Sequence, residues 1–154
     1  MNPLREAGDL AAAVGQGMLA GAVGTVAMTV SSTIDAKVRD RPASSAPADA
    51  AGTVLGVQPR DADGQARFSN VVHWSYGTSW GAVRGVIAAA GLHGTAATAA
   101  HFGSVWGSSL VMLPALGVAP PVWKQAIGET ALDAFHHLVY AGATTVAWNV
   151  IAGN

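Results

Sequence analysis

Four stretches of this chain are long, apolar and nearly free of charge, at about residues 10–34, 69–92, 95–117 and 130–152. Each reaches the ~20 residues that an α-helix needs to cross a lipid bilayer. We therefore predict an all-α, polytopic membrane protein in which four transmembrane helices form a bundle of two hairpins. On this interpretation residues 1–154 make a single membrane domain, and residues 35–68 form its one long loop.

The composition agrees with this interpretation. Charged residues make up 11% of the chain, against roughly 25% in an ordinary soluble domain. So few charges cover the surface of a soluble fold poorly, although a soluble helical protein with a buried core is the rival prediction. The lipid bilayer is thus the expected partner, and a net charge of -1 gives no basis for binding nucleic acid. The absence of cysteine excludes disulfides and thiolate chemistry.

Basic residues indicate the orientation, because Lys and Arg accumulate on the cytoplasmic side of a membrane. We expect a multi-pass protein of the plasma (inner) membrane with both termini outside and the long loop in the cytoplasm. The first apolar stretch has one basic residue before it and no clear cleavage site, so a retained span is favoured over a cleaved signal peptide. On the cytoplasmic side lie Lys37, Arg39, Arg41, Arg60, Arg67 and Lys124, against Arg5 on the other side.

Glycines recur at every fourth position in three of the spans. Packing between helices in lipid depends on small residues, which let two backbones approach each other closely. At 3.6 residues per turn the series in the second span forms one groove, which predicts a partner helix from the same chain or from another. The alternative is that glycine is simply commoner in membrane helices. The candidate packing residues are Gly17, Gly21 and Gly24, then Gly77, Gly81 and Gly85, and finally Gly103 and Gly107.

Ionisable side chains collect near the predicted cytoplasmic face, and such residues within spans are expensive and often functional. Two of the spans share a weak internal repeat, His73-x-x-Tyr76 and His137-x-x-Tyr140. Three interpretations remain open: a polar and aromatic belt at the membrane surface, a proton or ion site, and a site where histidines bind haem or a divalent metal. The candidate cluster comprises Asp35, His73, Tyr76, Asp133, His136, His137 and Tyr140.

Arg84 is a charge within the second predicted span, beside the glycine groove. Its side chain can extend to the outer membrane surface. Alternatively it can pair with Asp9 or approach His101. A role in fixing helix register is as well supported as a role in ligand binding.

The long loop carries two local signals. Arg41-Pro42 indicates a sharp, extended exit from the first span. A short helix is predicted to begin at Pro47 or Asp49, to continue through Leu55 and to end at Gly56.

Two segments resemble a known group of proteins. They are residues 17–28, which read GMLAGAVGTVAM, and residues 38–47, which read VRDRPASSAP. These segments are similar to the opening of small actinobacterial four-span membrane proteins that loosely resemble the YagU-like inner-membrane proteins. The resemblance covers about the first third of the chain and implies a four-span plasma-membrane protein without an assigned activity, so no catalytic residues can be carried over.

No enzyme motif is present in the sequence, which lacks a phosphate-binding glycine loop, His-Glu-x-x-His and Gly-x-Ser-x-Gly. The pattern therefore favours a non-catalytic protein. The leading hypothesis is a structural or accessory subunit that forms a homo-oligomer or joins a larger membrane complex through its glycine-rich faces. The alternatives are a small ion- or proton-linked carrier that uses the His/Asp cluster, and a redox module with His73 and His137 as haem ligands.

Overall fold

The computed structural model describes residues 3–153, which form five α-helices and no β-strand. The helices are α1 (Pro3–Val38), α2 (Ala46–Leu55), α3 (Ala62–Ala89), α4 (Gly94–Ala115) and α5 (Ile127–Ala152), with one 3₁₀ turn at Val122–Lys124. The predicted all-α class is confirmed. Residues 1, 2 and 154 of the predicted domain lie outside the described residues.

The helices extend further than the apolar stretches, so the long loop is shorter than predicted. α1 continues to Val38 and ends where Asp40 adopts a positive φ of 47°. α3 begins at Ala62, because the Asp61 side chain caps it by accepting a hydrogen bond of 2.7 Å from the backbone N–H of Gly64. The short loop helix is confirmed as α2, which ends at Gly56 in the left-handed conformation that glycine favours.

The four long helices run alternately up and down. α1 packs on α3 and α5, and α4 packs on the same two helices from the other side. α1 pairs antiparallel with α3, since Gly21 lies against Gly81 while Thr29 contacts His73. The order around the bundle is therefore α1, α3, α4, α5, with both described chain ends at the same end of the bundle as the connection between α3 and α4.

Among the described helices, α1 is long and apolar enough to cross a membrane by length and composition. The other long helices fall short because their apolar residues are interrupted by glycine, serine, threonine and histidine. A four-span bundle is therefore not established by hydropathy.

Glycine contacts hold α1 against α3. A Cβ atom added to Gly21 would lie 2.7 Å from the Cα of Gly81, and one added to Gly17 would lie 2.9 Å from the backbone nitrogen of Gly85. Thr25 fills the space beside Gly77, where a Cβ would lie 3.0 Å from the threonine Cγ2. The groove along α3 is thus occupied by a helix of the same chain.

The remaining predicted packing glycines behave differently from one another. Gly24 faces α5, where an added Cβ would lie 2.9 Å from the carbonyl oxygen of Tyr140. Gly103 and Gly107 on α4 have no atom of the described chain within 4 Å of an added Cβ. These two glycines therefore make no close helix contact within the described chain.

Burial is inverted relative to a water-soluble bundle. The largest fully buried side chains are Arg84, Tyr140, His101, Thr25 and Thr144. Large apolar side chains point outward along all four long helices, among them Leu19, Val23, Val30, Ile34, Val71, Val86, Val111, Leu138, Val146 and Val150. The interior is thus rich in small, polar and ionisable residues, and the long helices expose much apolar surface.

Candidate binding cavity

A cavity of about 900 Å³ lies between the helices at the end of the bundle where α1 ends. α2 and the segment that joins α4 to α5 form part of its wall. Apolar side chains make up much of the lining, including Met28, Val54, Leu110 and Leu113. Six of the seven residues of the predicted ionisable cluster also line it, namely His73, Tyr76, Asp133, His136, His137 and Tyr140.

His73 is fixed by α1. Its Nε2 lies 2.7 Å from the Oγ1 of Thr29, and that hydroxyl donates its own hydrogen to the carbonyl oxygen of Thr25 at 2.6 Å. The hydroxyl therefore accepts from Nε2–H of His73, which leaves the lone pair of this histidine on Nδ1. One of the two ring nitrogens of His73 is thus used in the hydrogen bond that joins α3 to α1.

His136 and His137 are adjacent in sequence but have different surroundings. The buried His136 has its Nδ1 2.8 Å from the Oγ of Ser31 on α1, and its Nε2 lies 3.9 Å from a carboxylate oxygen of Asp35. His137 donates from Nδ1 to the carbonyl oxygen of Asp133 within its own helix, at 2.8 Å. Both histidines line the cavity, while Asp35 supports it through His136.

Asp133 links α5 to α4. Its carboxylate accepts a 2.9 Å hydrogen bond from the indole N–H of Trp106 and lies 3.4 Å from Nδ1 of His137. Trp106 in turn stacks on Phe102, with ring centroids 5.4 Å apart. The carboxylate is therefore held in position beside an imidazole, which is an arrangement suited to binding a cation or a hydrogen-bond donor.

The two tyrosines of the predicted repeat are not equivalent. Tyr140 is buried and donates a 2.7 Å hydrogen bond to the carbonyl oxygen of Gly77, so it joins α5 to α3. Tyr76 is partly exposed and makes an edge contact with Trp80. The matching sequence positions therefore occupy different structural environments.

Two ion pairs close the end of the bundle next to the cavity. Arg39 pairs with Glu129 at the start of α5, and Arg41 donates from Nε to the carboxylate of Asp35 at 3.0 Å. The hydrogen bond from the Arg41 guanidinium lowers the pKa of Asp35 below its usual value, and the hydrogen bond from Arg39 lowers the pKa of Glu129 in the same way. The C-terminal end of α1 is thereby tied to α5 by charge.

The described residues contain no group of three or more His, Asp or Glu side chains arranged to hold a metal ion. His73 and His137, the predicted haem ligands, both line the cavity, but each uses one ring nitrogen in a hydrogen bond within the protein. His137 keeps Nε2 free of that bond, which is the usual arrangement for a ligating histidine. His73 carries its hydrogen on Nε2 and would have to bind through Nδ1.

Arg84 and His101 lie deeper in the bundle, away from the cavity. The Cζ atom of Arg84 lies 4.9 Å from the ring centroid of Trp148, and His101 donates from Nε2 to the carbonyl oxygen of Trp80 at 3.1 Å. The ring of His101 lies 5.5 Å from that of Tyr140, which connects this inner cluster to the cavity wall. Arg84 therefore points into the bundle rather than outward to a membrane surface.

Several residues that shape the cavity were not singled out from the sequence. Thr29, Ser31 and Trp106 orient the histidines and Asp133, but single hydroxyls and an indole carry no motif that would mark them. The spacing of Trp106 and Asp133 on facing helices could have indicated their contact only after the bundle order was known.

Comparisons with protein-family models, with curated proteins and with solved structures give no match to this chain. The similarity to YagU-like proteins therefore stays a prediction, and the function must be argued from the cavity and its surroundings.

Proposed function

We propose that this chain is a small integral membrane protein whose four long helices cross the bilayer, and that its cavity binds an amphipathic small molecule. The observation that carries the membrane assignment is the inverted burial. Soluble monomers rarely expose large contiguous apolar surfaces, whereas Val150 is 79% and Val111 72% exposed while Arg84 is 1% exposed. Lipid around the bundle accounts for both facts.

Serine and threonine hydroxyls support the same assignment. In lipid every polar group needs a partner within the protein, and these hydroxyls donate to carbonyl oxygens of their own helices. The bond lengths are 2.7 Å for Ser79 to Ser75 and 2.8 Å for Ser104 to Ala100, and both serines are exposed. Exposed helix surfaces thus hold hydroxyls that need no water.

The absence of native cysteine allows a direct test of the topology. Gln58→Cys places a thiol in the loop between α2 and α3, and Gly8→Cys places one near the start of α1, where the surface is exposed. With the loop in the cytoplasm and both termini outside, a membrane-impermeant maleimide added to intact cells should label the Gly8→Cys variant but not the Gln58→Cys variant. Equal labelling of both variants in sealed vesicles of either orientation would contradict the four-span topology. Recovery of the protein in the soluble fraction after cell lysis would contradict the membrane assignment.

The lining of the cavity determines the class of ligand. Its wall is largely apolar, whereas α3 presents His73 and α5 presents His137 and Asp133, each held by a hydrogen bond. A molecule with an apolar body and a polar or ionisable head matches both parts, as ligand sites generally combine apolar walls with a few placed polar groups. We propose that the protein acts as a small carrier for such a molecule, with proton or ion coupling through the His/Asp cluster.

Native mass spectrometry of the protein, extracted gently from its own membrane, tests ligand binding. We expect a bound small molecule that remains on the wild-type chain. Leu110→Trp on α4, at a partly buried position of the lining, narrows the cavity and should remove this mass, while the control variant Val71→Trp on the outer face of α3 should keep it. Bare chains in the wild type, or retention of the mass in Leu110→Trp, would refute binding in the cavity.

Flux measurements in liposomes test the carrier function. Once the bound molecule is identified, Asp133→Asn should abolish its proton-dependent uptake, because the amide cannot carry the charge that the carboxylate presents to His137. Trp106→Phe removes the hydrogen bond to Asp133 but keeps its charge, and should slow uptake without abolishing it. If the wild-type protein binds the molecule but shows no flux at any pH, the protein is a binding protein and the carrier function is refuted.

A structural or accessory role is a second candidate function. In this case α4, rather than α3, would supply the surface that contacts a partner. The α3 groove is filled by α1, whereas Gly103 and Gly107 present an open surface within the described chain. In this case Gly103→Ile should disrupt a homo-oligomer or larger complex seen by native mass spectrometry, while leaving the monomer folded. Unchanged assembly in this variant would argue against the candidate.

A further inference from the structure

Arg84 is a buried cation without a counter-charge. Its side chain is 1% exposed, and its Nε and Nη1 atoms have no hydrogen-bond partner in the described chain. None of the described carboxylates forms an ion pair with it, including Asp9, which the sequence offered as a partner. A buried charge left in this state is strongly unfavourable, so the site demands an acceptor.

The neighbours of Arg84 add one unsatisfied donor and one neutral acceptor but no negative charge. Trp148 lies under the guanidinium, and its indole N–H is buried without a partner. The fully buried His101 uses Nε2–H on Trp80, and its Nδ1 is also without a partner in the described residues. Two residues in direct contact therefore present three unsatisfied donor nitrogens, with one imidazole lone pair near them.

A second cavity reaches this cluster at Trp148, at the end of the bundle that holds the described chain ends. It has a volume of about 570 Å³, and Trp148, Ala13 and Gln16 line it together with Glu6 and Asp9. Ala13 also lies against Gly85, the residue next to Arg84. The cavity and the guanidinium thus share the Trp148 ring as a neighbour, and Arg84 itself does not line the cavity.

We propose that Arg84 and Trp148 form a buried binding site for a compact anion, either a halide or the carboxylate of a small organic acid. The guanidinium supplies the charge and two donor nitrogens, the indole supplies a third, and His101 bounds the site on α4. Buried positive charge with several converging N–H donors is the chemistry that recognises such anions. The site is separate from the cavity ligand proposed above and does not depend on it.

Iodide is a direct probe, because the site includes a tryptophan whose fluorescence a bound iodide quenches. The purified protein in detergent is titrated with potassium iodide against potassium gluconate at constant ionic strength. We expect a saturable loss of emission from the wild type, in addition to the linear quenching of exposed tryptophans. Chloride and formate should displace the bound iodide and restore this component.

Variants assign the signal to the site. Arg84→Gln should remove the saturable component, Arg84→Lys should keep it at higher iodide concentration, and Trp148→Phe should remove it while leaving the linear part. Linear quenching alone in the wild type would overturn the proposal, as would a saturable component that survives Arg84→Gln. If Arg84→Gln does not fold, the weaker iodide binding of Arg84→Lys and the loss of the saturable component in Trp148→Phe decide the question.

Asp9→Asn distinguishes an ion from solution from a carboxylate of the chain. With a solution anion, this variant should bind iodide as the wild type does, or somewhat more tightly because a nearby negative charge is gone. A saturable component that appears in Asp9→Asn and is absent from the wild type would show that Asp9 is the partner of Arg84, and would overturn the proposal.

Discussion

The close contact between α1 and α3 at Gly81 predicts that a single added methyl group strongly lowers the stability of the protein. In Gly81→Ala the new Cβ would lie 2.7 Å from the Cα of Gly21 and 2.8 Å from its nitrogen, and closer still to the carbonyl oxygen of Gly17. Ordinary contact begins at 3.4 Å, and all three obstructing atoms belong to backbone that cannot rotate away. α1 and α3 must therefore move apart along their shared surface.

The cost follows from two opposing effects. Overpacking typically costs ~1–3 kcal/mol, and rigid backbone on both sides places this site at the upper end of that range. Alanine recovers ~1 kcal/mol of helix propensity over glycine. The net loss of about 2 kcal/mol corresponds to a ~30-fold shift in the unfolding equilibrium.

Reversible unfolding in mixed micelles, followed by tryptophan fluorescence, measures this shift. Gly15→Ala and Gly142→Ala are matched controls, because no atom of the described chain lies within 4 Å of a Cβ added at either helical glycine. Both controls should be as stable as the wild type or slightly more stable. If Gly81→Ala behaved like them, the contact between α1 and α3 would be looser than described and the reasoning would fail.

Acid should destabilise the end of the bundle that holds the two ion pairs. Because the pKa values of Asp35 and Glu129 are lowered in the folded protein, their ion pairs contribute stability above about pH 4.3. That contribution should be lost as the pH falls through the lowered values, and thermal unfolding of Arg39→Gln should show a smaller change between pH 7 and pH 3 than that of the wild type. Tyr140→Phe removes the hydrogen bond to Gly77 and should cost ~0.5–1.5 kcal/mol in the same unfolding assay, whereas Tyr76→Phe should be neutral.

The sequence predicted the helical class and the short loop helix because those depend on local patterns. Lack of charge over ~20 residues indicates a long helix wherever it packs, and Gly56 after Leu55 ends α2 for a purely local reason. The helix ends at Val38 and Ala62 lie outside the predicted spans, because helical geometry continues beyond the apolar stretches. Capping by Asp61, rather than hydropathy, sets the start of α3.

Six of the seven residues of the predicted ionisable cluster line the cavity, but neither the cavity nor its organisation was predicted. An ionisable side chain within an apolar stretch is energetically unfavourable in a membrane. His73 and Asp133 could therefore be identified from the sequence without knowledge of their neighbours. Their partners Thr29 and Trp106 come from other helices, so only the bundle order brings them together. The repeat between Tyr76 and Tyr140 misled for the same reason, since equal spacing on two helices does not give equal neighbours.

The glycine contacts and the cavity both follow from the size of the side chains that α1 presents to its neighbours, which increases along the helix. The interface residues of this helix grow from Gly17 and Gly21 to Thr25 and Thr29, then to the ion pair of Arg39. The lining of the cavity begins on α1 at Thr25, directly after Gly24, and on α3 it extends no further than Trp80, directly before Gly81. Space between the helices thus opens where the glycine series stops, because larger side chains hold the backbones apart and bond across the gap rather than filling it. The close contact at one end therefore fixes the helices whose separation at the other end makes room for a ligand.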